Sequence, residues 1–180
     1  YRESEEYFKE TKQFYNFAGT SFMEDIGLLE SAIYFIRSGY MTRGLNQLVE
    51  IEQRFDRQGR KGVLPLIRMT IGKVYLELIL KTQPISRMTL VKNVGFILKN
   101  VPAAFKKALH WYGKSIETSE ELGAIGMKAQ ALLDLGILYK ARGKKSQAKK
   151  HIEAAIPIFE DIGAYAFLKQ AKQELESLTG

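Results

Sequence analysis

The 180-residue sequence contains no cysteine, two histidines and four prolines. Without cysteine, disulfide bonds and thiolate metal sites are excluded, and the composition is compatible with a reducing compartment. No apolar run approaches the roughly 18 residues that a membrane-spanning helix needs. The chain starts at Tyr1 with neither a methionine nor a charged and apolar leader. We therefore expect a cytoplasmic protein, and a piece cut from a longer polypeptide.

Acidic residues are missing from two stretches, one between Glu77 and Glu117 and one between Asp134 and Glu153. The first stretch carries seven positive charges, which equals the formal net charge of +7. We predict a basic patch there, made of Arg87, Lys92, Lys99, Lys106 and Lys107. Clustered positive charge attracts nucleic acid, anionic lipid or an acidic protein. The other interpretation is a solvated helix face, because lysine is usually exposed.

Catalytic and metal sites need several groups that converge in space. His110 and His151 are the only histidines, and the repeat described below places them on different helix faces. The Gly-Lys-Ser triplet at 113–115 is similar to the end of a phosphate-binding loop, but Ala108 stands where such a loop has glycine. We therefore predict no catalytic, metal-binding or cofactor-binding residues, and no enzyme activity in this chain.

What the chain does have is an internal repeat marked by glycine. Gly19 and Gly59 are 40 residues apart, as are Gly123 and Gly163, and the middle gap of 64 residues is one period plus 24. Helical periodicity dominates throughout. A fixed period of this length predicts stacked units that bury their apolar faces against each other. We predict an all-α fold of antiparallel helix pairs, stacked as a right-handed α-solenoid.

The same glycines divide the predicted single domain, 1–180, into units. These are a truncated repeat at 1–19, a repeat at 20–59, a repeat at 60–123 with an insert at 81–105, a repeat at 124–163 and a closing helix at 164–180. In the insert we predict an extra helix over 86–100 with Lys92 and Lys99 turned outward. Its predicted docking stripe is Met88, Val91, Val94, Leu98 and Val101. This helix either covers exposed core or docks an acidic partner or membrane surface.

Small and large residues alternate along the clearest unit in the way that two closely packed helices require. They are Leu132, Leu135, Gly136, Tyr139, Ala148, Ile152 and Ala155. This spacing resembles the tetratricopeptide repeat, a helix–turn–helix unit. Two features depart from that family. The period is 40 rather than the typical 34 or so, and Glu120 and Glu160 stand where a proline usually ends each unit.

Segments 71–80, 92–93 and 131–136 more specifically resemble the C-terminal repeats of multidomain bacterial adenylate and guanylate cyclases. The resemblance implies a non-catalytic scaffold for protein–protein interaction and regulation within a larger bacterial signalling protein. The alternative is nucleic-acid or anionic-membrane binding through the basic insert at 81–114, although we do not expect nucleic acid to be the main partner.

In tetratricopeptide-like arrays the first helix of each pair lines a concave groove. The resemblance therefore implies a groove that binds a protein, a peptide or a neighbouring domain of the same chain. Its predicted positions are Ile26, Leu29, Ile33, Ile36, Leu66, Met69, Lys73, Leu76, Gln130, Leu133, Ile137 and Lys140. Such a groove suits an amphipathic helix. The other interpretation is that its apolar residues pack against helices missing from this chain, and the oligomeric state is open.

Overall fold

The computed structural model describes residues 21–80 and 87–178, with side chains described for 26–80 and 93–178. The α-helices are α1 Ser21–Arg37, α2 Met41–Arg57, α3 Leu64–Leu80, α4 Arg87–Asn100, α5 Ala104–Glu121, α6 Ile125–Ala141, α7 Lys145–Asp161 and α8 Tyr165–Glu176. Short 3-10 turns, Lys61–Val63 and Val101–Ala103, lead into α3 and α5. These ranges contain no β-strand, so the all-α prediction is confirmed. The predicted truncated repeat at 1–19 lies outside the described residues.

The tight turns between helices contain glycine in the left-handed conformation, which side chains disfavour. These glycines are Gly39, Gly59, Gly123, Gly143 and Gly163, with φ between 65° and 82°. In the turn after α5, the N–H of Gly123 bonds to the carbonyl of Glu120 and that of Ala124 bonds to Ser119. This bonding ends the helix and satisfies its last carbonyls. The chain then reverses, so the two flanking helices pack antiparallel.

The helices pack in pairs, α1 with α2, α3 with α5 and α6 with α7, and α8 packs on α7. Helices α3 and α5 pair although α4 separates them in sequence. The inserted helix α4 instead contacts α2 and the Val101–Ala103 turn, on the outside of the stack. The unit boundaries and the right-handed curvature of the stack stay predictions.

Glycine lies where the paired helices approach each other most closely. A Cβ atom on Gly136 would be 2.5 Å from Cγ1 of Ile152, and one on Gly72 would be 2.9 Å from the Tyr112 ring. Both glycines are buried in the first helix of their pair. The core they belong to is continuous, because Ile137 packs against both the α1–α6 cluster and the α6–α8 cluster.

A buried ion cluster joins α2, α3 and α5. The Arg68 guanidinium donates to Glu52 at 2.7 Å, to Asp56 at 2.8 Å and to the Thr118 hydroxyl. Lys114 donates to the same Glu52 carboxylate at 2.9 Å. Arg68 and Glu52 are both buried. Buried charges persist only when they are paired in this way, so the cluster fixes how these three helices meet.

The inserted helix forms as predicted, but the predicted docking stripe is wrong for the side chains described. Val94 is 49% exposed, Leu98 72% and Val101 37%. The side chains of Met88 and Val91 lie outside the described residues. The apolar stripe of α4 therefore faces water along its C-terminal half.

Hydrogen bonding explains the orientation of α4. Its buried face carries Asn93 and Phe96. The Asn93 amide donates to the carbonyl of Gly39 and accepts from the N–H of Met41 at 3.2 Å. These backbone groups belong to the α1–α2 turn and the start of α2, where helical bonding leaves groups without partners. A polar residue therefore docks the helix, with Phe96 filling the core beside it.

Candidate interaction surface

The predicted groove is only partly open. Met69, Leu76 and Leu133 are buried, so the prediction is wrong for these three positions. The reason is that α3 packs against α2, α5 and α6 at once, and α6 is enclosed in the same way. The other positions are at least partly accessible, namely Ile26, Leu29, Ile33, Ile36, Leu66, Lys73, Gln130, Ile137 and Lys140.

The two lysines of the predicted groove have acidic partners. Lys140 donates to Glu174 at 2.6 Å, and Lys73 lies 3.5 Å from Asp134. Burial raises the pKa of the Asp134 carboxyl to about 6, and the Lys73 ammonium opposes that rise. The positive charges of both groove lysines are therefore largely neutralised by these carboxylates.

A more exposed apolar surface lies at the turns before α6 and α8. Leu122 and Ile162 each precede a turn glycine and are 41% and 40% exposed. Ile125 and Tyr165 each begin the following helix and are 48% and 76% exposed. The two members of each pair are one 40-residue period apart. The exposure thus recurs in consecutive units.

Between these turns lies an apolar cavity of about 340 Å³. Phe159 is buried at its base, and its ring stacks on that of Phe167 with centroids 5.5 Å apart. Gln130 is its one polar side chain and the one predicted groove position in its lining. Three exposed residues, Ile125, Ile162 and Phe167, are in the cavity lining. We define the apolar turn surface as these three together with Leu122 and Tyr165, which are exposed at the same two turns.

The charged residues that flank the apolar turn surface pair with one another. Lys128 lies 2.9 Å from Glu120, and Lys172 lies 3.0 Å from Glu160. Opposite charges cancel at both turns, so a partner would be recognised mainly by apolar contact. This surface was not predicted from the sequence, although the sequence carries a signal for it. The turn does not require an apolar residue before Gly123 or Gly163, yet Leu122 and Ile162 recur there one period apart.

The predicted basic patch is described in part. It comprises Arg87 and Lys92, whose side chains lie outside the described residues, and Lys99, Lys106 and Lys107. Lys99 and Lys106 are exposed. Lys107 is half-buried, and its ammonium donates to the Asn100 side chain at 2.8 Å. The exposed positive charge of the patch thus lies at the end of α4 and the start of α5.

No catalytic constellation forms among the described residues. They contain no group of three or more histidine, cysteine, aspartate or glutamate side chains placed to hold a metal ion. The rings of His110 and Trp111 pack edge-on. The His151 ring stacks on the Tyr139 ring, with centroids 5.3 Å apart. Burial, helped by Lys150, lowers the pKa of His151. In the described ranges no helix combines the length and the apolar character that membrane crossing requires.

Comparisons with known proteins add little. The chain matches no family model and no curated protein. Among solved structures it is similar to the apo form of RapI, with a TM-score of 0.41 and 18% sequence identity. The match covers 95% of this chain and 52% of that chain, so this chain spans about half the length of RapI. A likeness at this level carries no argument about function.

Proposed function

We propose that this chain is a non-catalytic protein-interaction module that binds an amphipathic helix of a partner protein at the apolar turn surface. The observation that carries the proposal is the recurrence of exposed large apolar side chains at the turns of two consecutive units, beside an apolar cavity that three of them line. Contiguous exposed apolar patches mark interaction sites in soluble proteins. Tyr165 is the most exposed member, and tyrosine is enriched among residues that dominate binding energy.

The cavity is better suited to apolar side chains than to a small molecule. Small-molecule sites usually span about 300–1,000 Å³ and contain several placed polar groups. This cavity is at the lower end of that range and offers Gln130 as its polar side chain. An amphipathic helix would place apolar residues, spaced three or four apart, against the two turns. Specificity would then come from shape and from the flanking ion pairs.

A finer proposal rests on the sequence resemblance. The module would be a tetratricopeptide-type scaffold in a cytoplasmic bacterial signalling protein of the nucleotide-cyclase kind, and binding would regulate catalytic domains of the same polypeptide. The coding sequence of the parent protein tests this directly. A cyclase domain beside the repeats would support it, and a DNA-binding domain in that place would contradict it.

The test of binding is a selection from a library of amphipathic helical peptides, followed by affinity measurement on purified variants. The double variant Ile125→Ser/Tyr165→Ser removes one exposed side chain from each turn. We expect it to weaken binding at least about tenfold, because truncating a binding hot spot costs about 2 kcal/mol or more. The matched control is Val94→Ser/Leu98→Ser, which removes two exposed apolar residues from α4 and should leave the affinity unchanged.

Two results would contradict the proposal. One is a selection that yields no binder. The other is a set of peptides whose affinity survives the Ile125 and Tyr165 changes. If Ile33→Ser abolished binding instead, the groove predicted along α1 would be the binding site.

The second candidate function is nucleic-acid or anionic-membrane binding through the basic insert at 81–114. It is favoured by the exposure of Lys99 and Lys106 on adjoining elements. Nucleic-acid binding would weaken steeply with added salt, because phosphate contacts release counterions. Peptide binding at the apolar turn surface would change little with salt.

A further inference from the structure

The second acid-free stretch of the sequence, 135–152, lies beside the basic insert in the structure. Phe105 lies at the start of α5 and Tyr139 near the end of α6. Their rings pack edge-on, with centroids 5.8 Å apart. Arg142 and Lys144, in the α6–α7 turn, lie 5.3 Å and 5.4 Å from the Phe105 ring centroid. The two stretches thus meet along one edge of the stack, where α4 and α6 end and α5 and α7 begin. We call this edge the basic end of the stack, and the edge formed by the other helix ends is the opposite end.

We define the basic surface as Lys99, Lys106, Arg142 and Lys144. All four are exposed, and none forms an ion pair with an acidic side chain in the part of the chain that the structure describes. This contrasts with Lys61, Lys128 and Lys172 at the opposite end of the stack, which are each paired with a glutamate. The basic surface thus brings four exposed positive charges together without an acidic partner, whereas three lysines at the opposite end are each neutralised by a glutamate.

The two helices that begin at this surface have basic residues near the start and acidic residues near the end, which is the reverse of what the helix dipole favours. Neither α5 nor α7 has an acidic residue in its first turn. Helix α5 has Lys106 near its start and Glu120 near its end, and α7 has Lys145 at its start and Asp161 at its end. Acidic residues at the start and basic residues at the end would stabilise a helix. Helices α3, α6 and α8, which begin at the opposite end, also lack an acidic residue in the first turn, so this surface is distinguished by the lysines Lys106 and Lys145.

Exposed aliphatic side chains adjoin this positive charge. Val94 and Leu98 are exposed on α4, Val101 is exposed in the 3-10 turn that follows, and Lys99 follows Leu98 directly in the sequence. The chain passes from Val101 through one 3-10 turn into α5, which begins beside the basic surface. The other side of α4 lines a cavity against α2 through Gly95, Phe96 and Lys99, and Val94 and Leu98 are not part of that lining.

We propose that this end of the stack binds the surface of an anionic lipid bilayer. The exposed Val94, Leu98 and Val101 side chains would enter the headgroup region, and the basic surface would contact anionic headgroups. Nucleic acid would use the cations but leave the aliphatic side chains in water. An acidic peptide would need a groove to cover them. A bilayer surface satisfies both features, and its site is separate from the apolar turn surface.

The test is co-sedimentation with phosphatidylcholine vesicles, with and without about one third phosphatidylserine. We expect binding only to the anionic vesicles. Changing all four residues of the basic surface to glutamine should weaken it about fivefold per charge. Val94→Ser/Leu98→Ser should weaken it at least about fivefold while leaving the net charge unchanged. Far-UV circular dichroism checks that each variant folds.

The matched charge control changes four lysines at the opposite end to glutamine. These are Lys61, Lys128, Lys169 and Lys172. Both quadruple variants lower the net charge by the same amount, so equal loss of binding would show non-specific attraction and overturn the proposal. Absence of binding to anionic vesicles at low salt would also overturn it. So would tighter binding to a DNA duplex or an acidic peptide that survives Val94→Ser/Leu98→Ser.

Discussion

Adding one methyl group should stabilise the protein at Gly113 but not at Gly136. Both glycines lie inside α-helices, Gly136 in α6 and Gly113 in α5. A Cβ atom on Gly136 would be 2.5 Å from Ile152 and 3.2 Å from the carbonyl oxygen of Ala148. A Cβ atom on Gly113 would have no neighbour within 4 Å. Replacement by alanine therefore brings the same gain in helix propensity at both sites. Only at Gly136 does the new methyl group collide with a neighbouring helix.

The magnitudes follow from these distances. Replacing glycine by alanine within a helix stabilises it by about 1 kcal/mol. Gly113→Ala should realise this gain, which for a chain of this size raises Tm by about 2–4 °C. At Gly136 the overpacked methyl group costs about 1–3 kcal/mol, because the backbone of α7 cannot easily retreat. Gly136→Ala should therefore be less stable than Gly113→Ala by about 1–3 kcal/mol, and Gly136→Leu should be worse still.

Thermal and urea unfolding, followed by far-UV circular dichroism, measure both variants under identical conditions. The difference between them isolates the contact of α6 with α7, since the propensity gain cancels. Equal stabilisation at the two sites would refute the close approach at Gly136. It would also remove the basis for aligning Gly136 with Gly72 as equivalent positions of a repeat.

Three further predictions concern the buried charges and the chemistry. Arg68→Met should lower the free energy of unfolding by about 3–5 kcal/mol in urea titrations, because Glu52 would keep only Lys114 as a partner. The folded pKa of about 6 for Asp134 lies above its ordinary 3.8, so stability should fall as pH rises through that interval. The expected loss in the free energy of unfolding is of order 3 kcal/mol, and it should be absent in Asp134→Asn. Urea titrations at the two ends of this pH interval measure it. Finally, the purified chain should not turn over ATP or GTP in a phosphate-release or cyclase assay.

The repeat could be read from the sequence because the residues that set it act locally. Gly59, Gly123 and Gly163 adopt positive φ at helix ends, and the spacing between such glycines directly reports unit length. The close approach of two helices at Gly136 could be predicted for the same reason, since a small residue lets the backbones come near each other.

Orientation and exposure could not be predicted from the sequence, because they depend on tertiary contacts. Hydrophobic periodicity favoured the apolar stripe of α4 as its docking face. The deciding interaction is instead the bonding of Asn93 to backbone groups of the α1–α2 turn. Periodicity also cannot separate a groove-lining leucine from a core leucine such as Leu133. The two acid-free stretches were visible in sequence, but their meeting at Phe105 depends on how the helices pair.

Hydrogen–deuterium exchange of the chain, with and without a selected amphipathic peptide, tests most directly whether the apolar turn surface is the binding site. We predict slower exchange over 122–130 and 159–168 when the peptide is bound, with no change over 93–101 in α4. Protection confined to α1 or to α4, with the two turns unchanged, would contradict the proposed function.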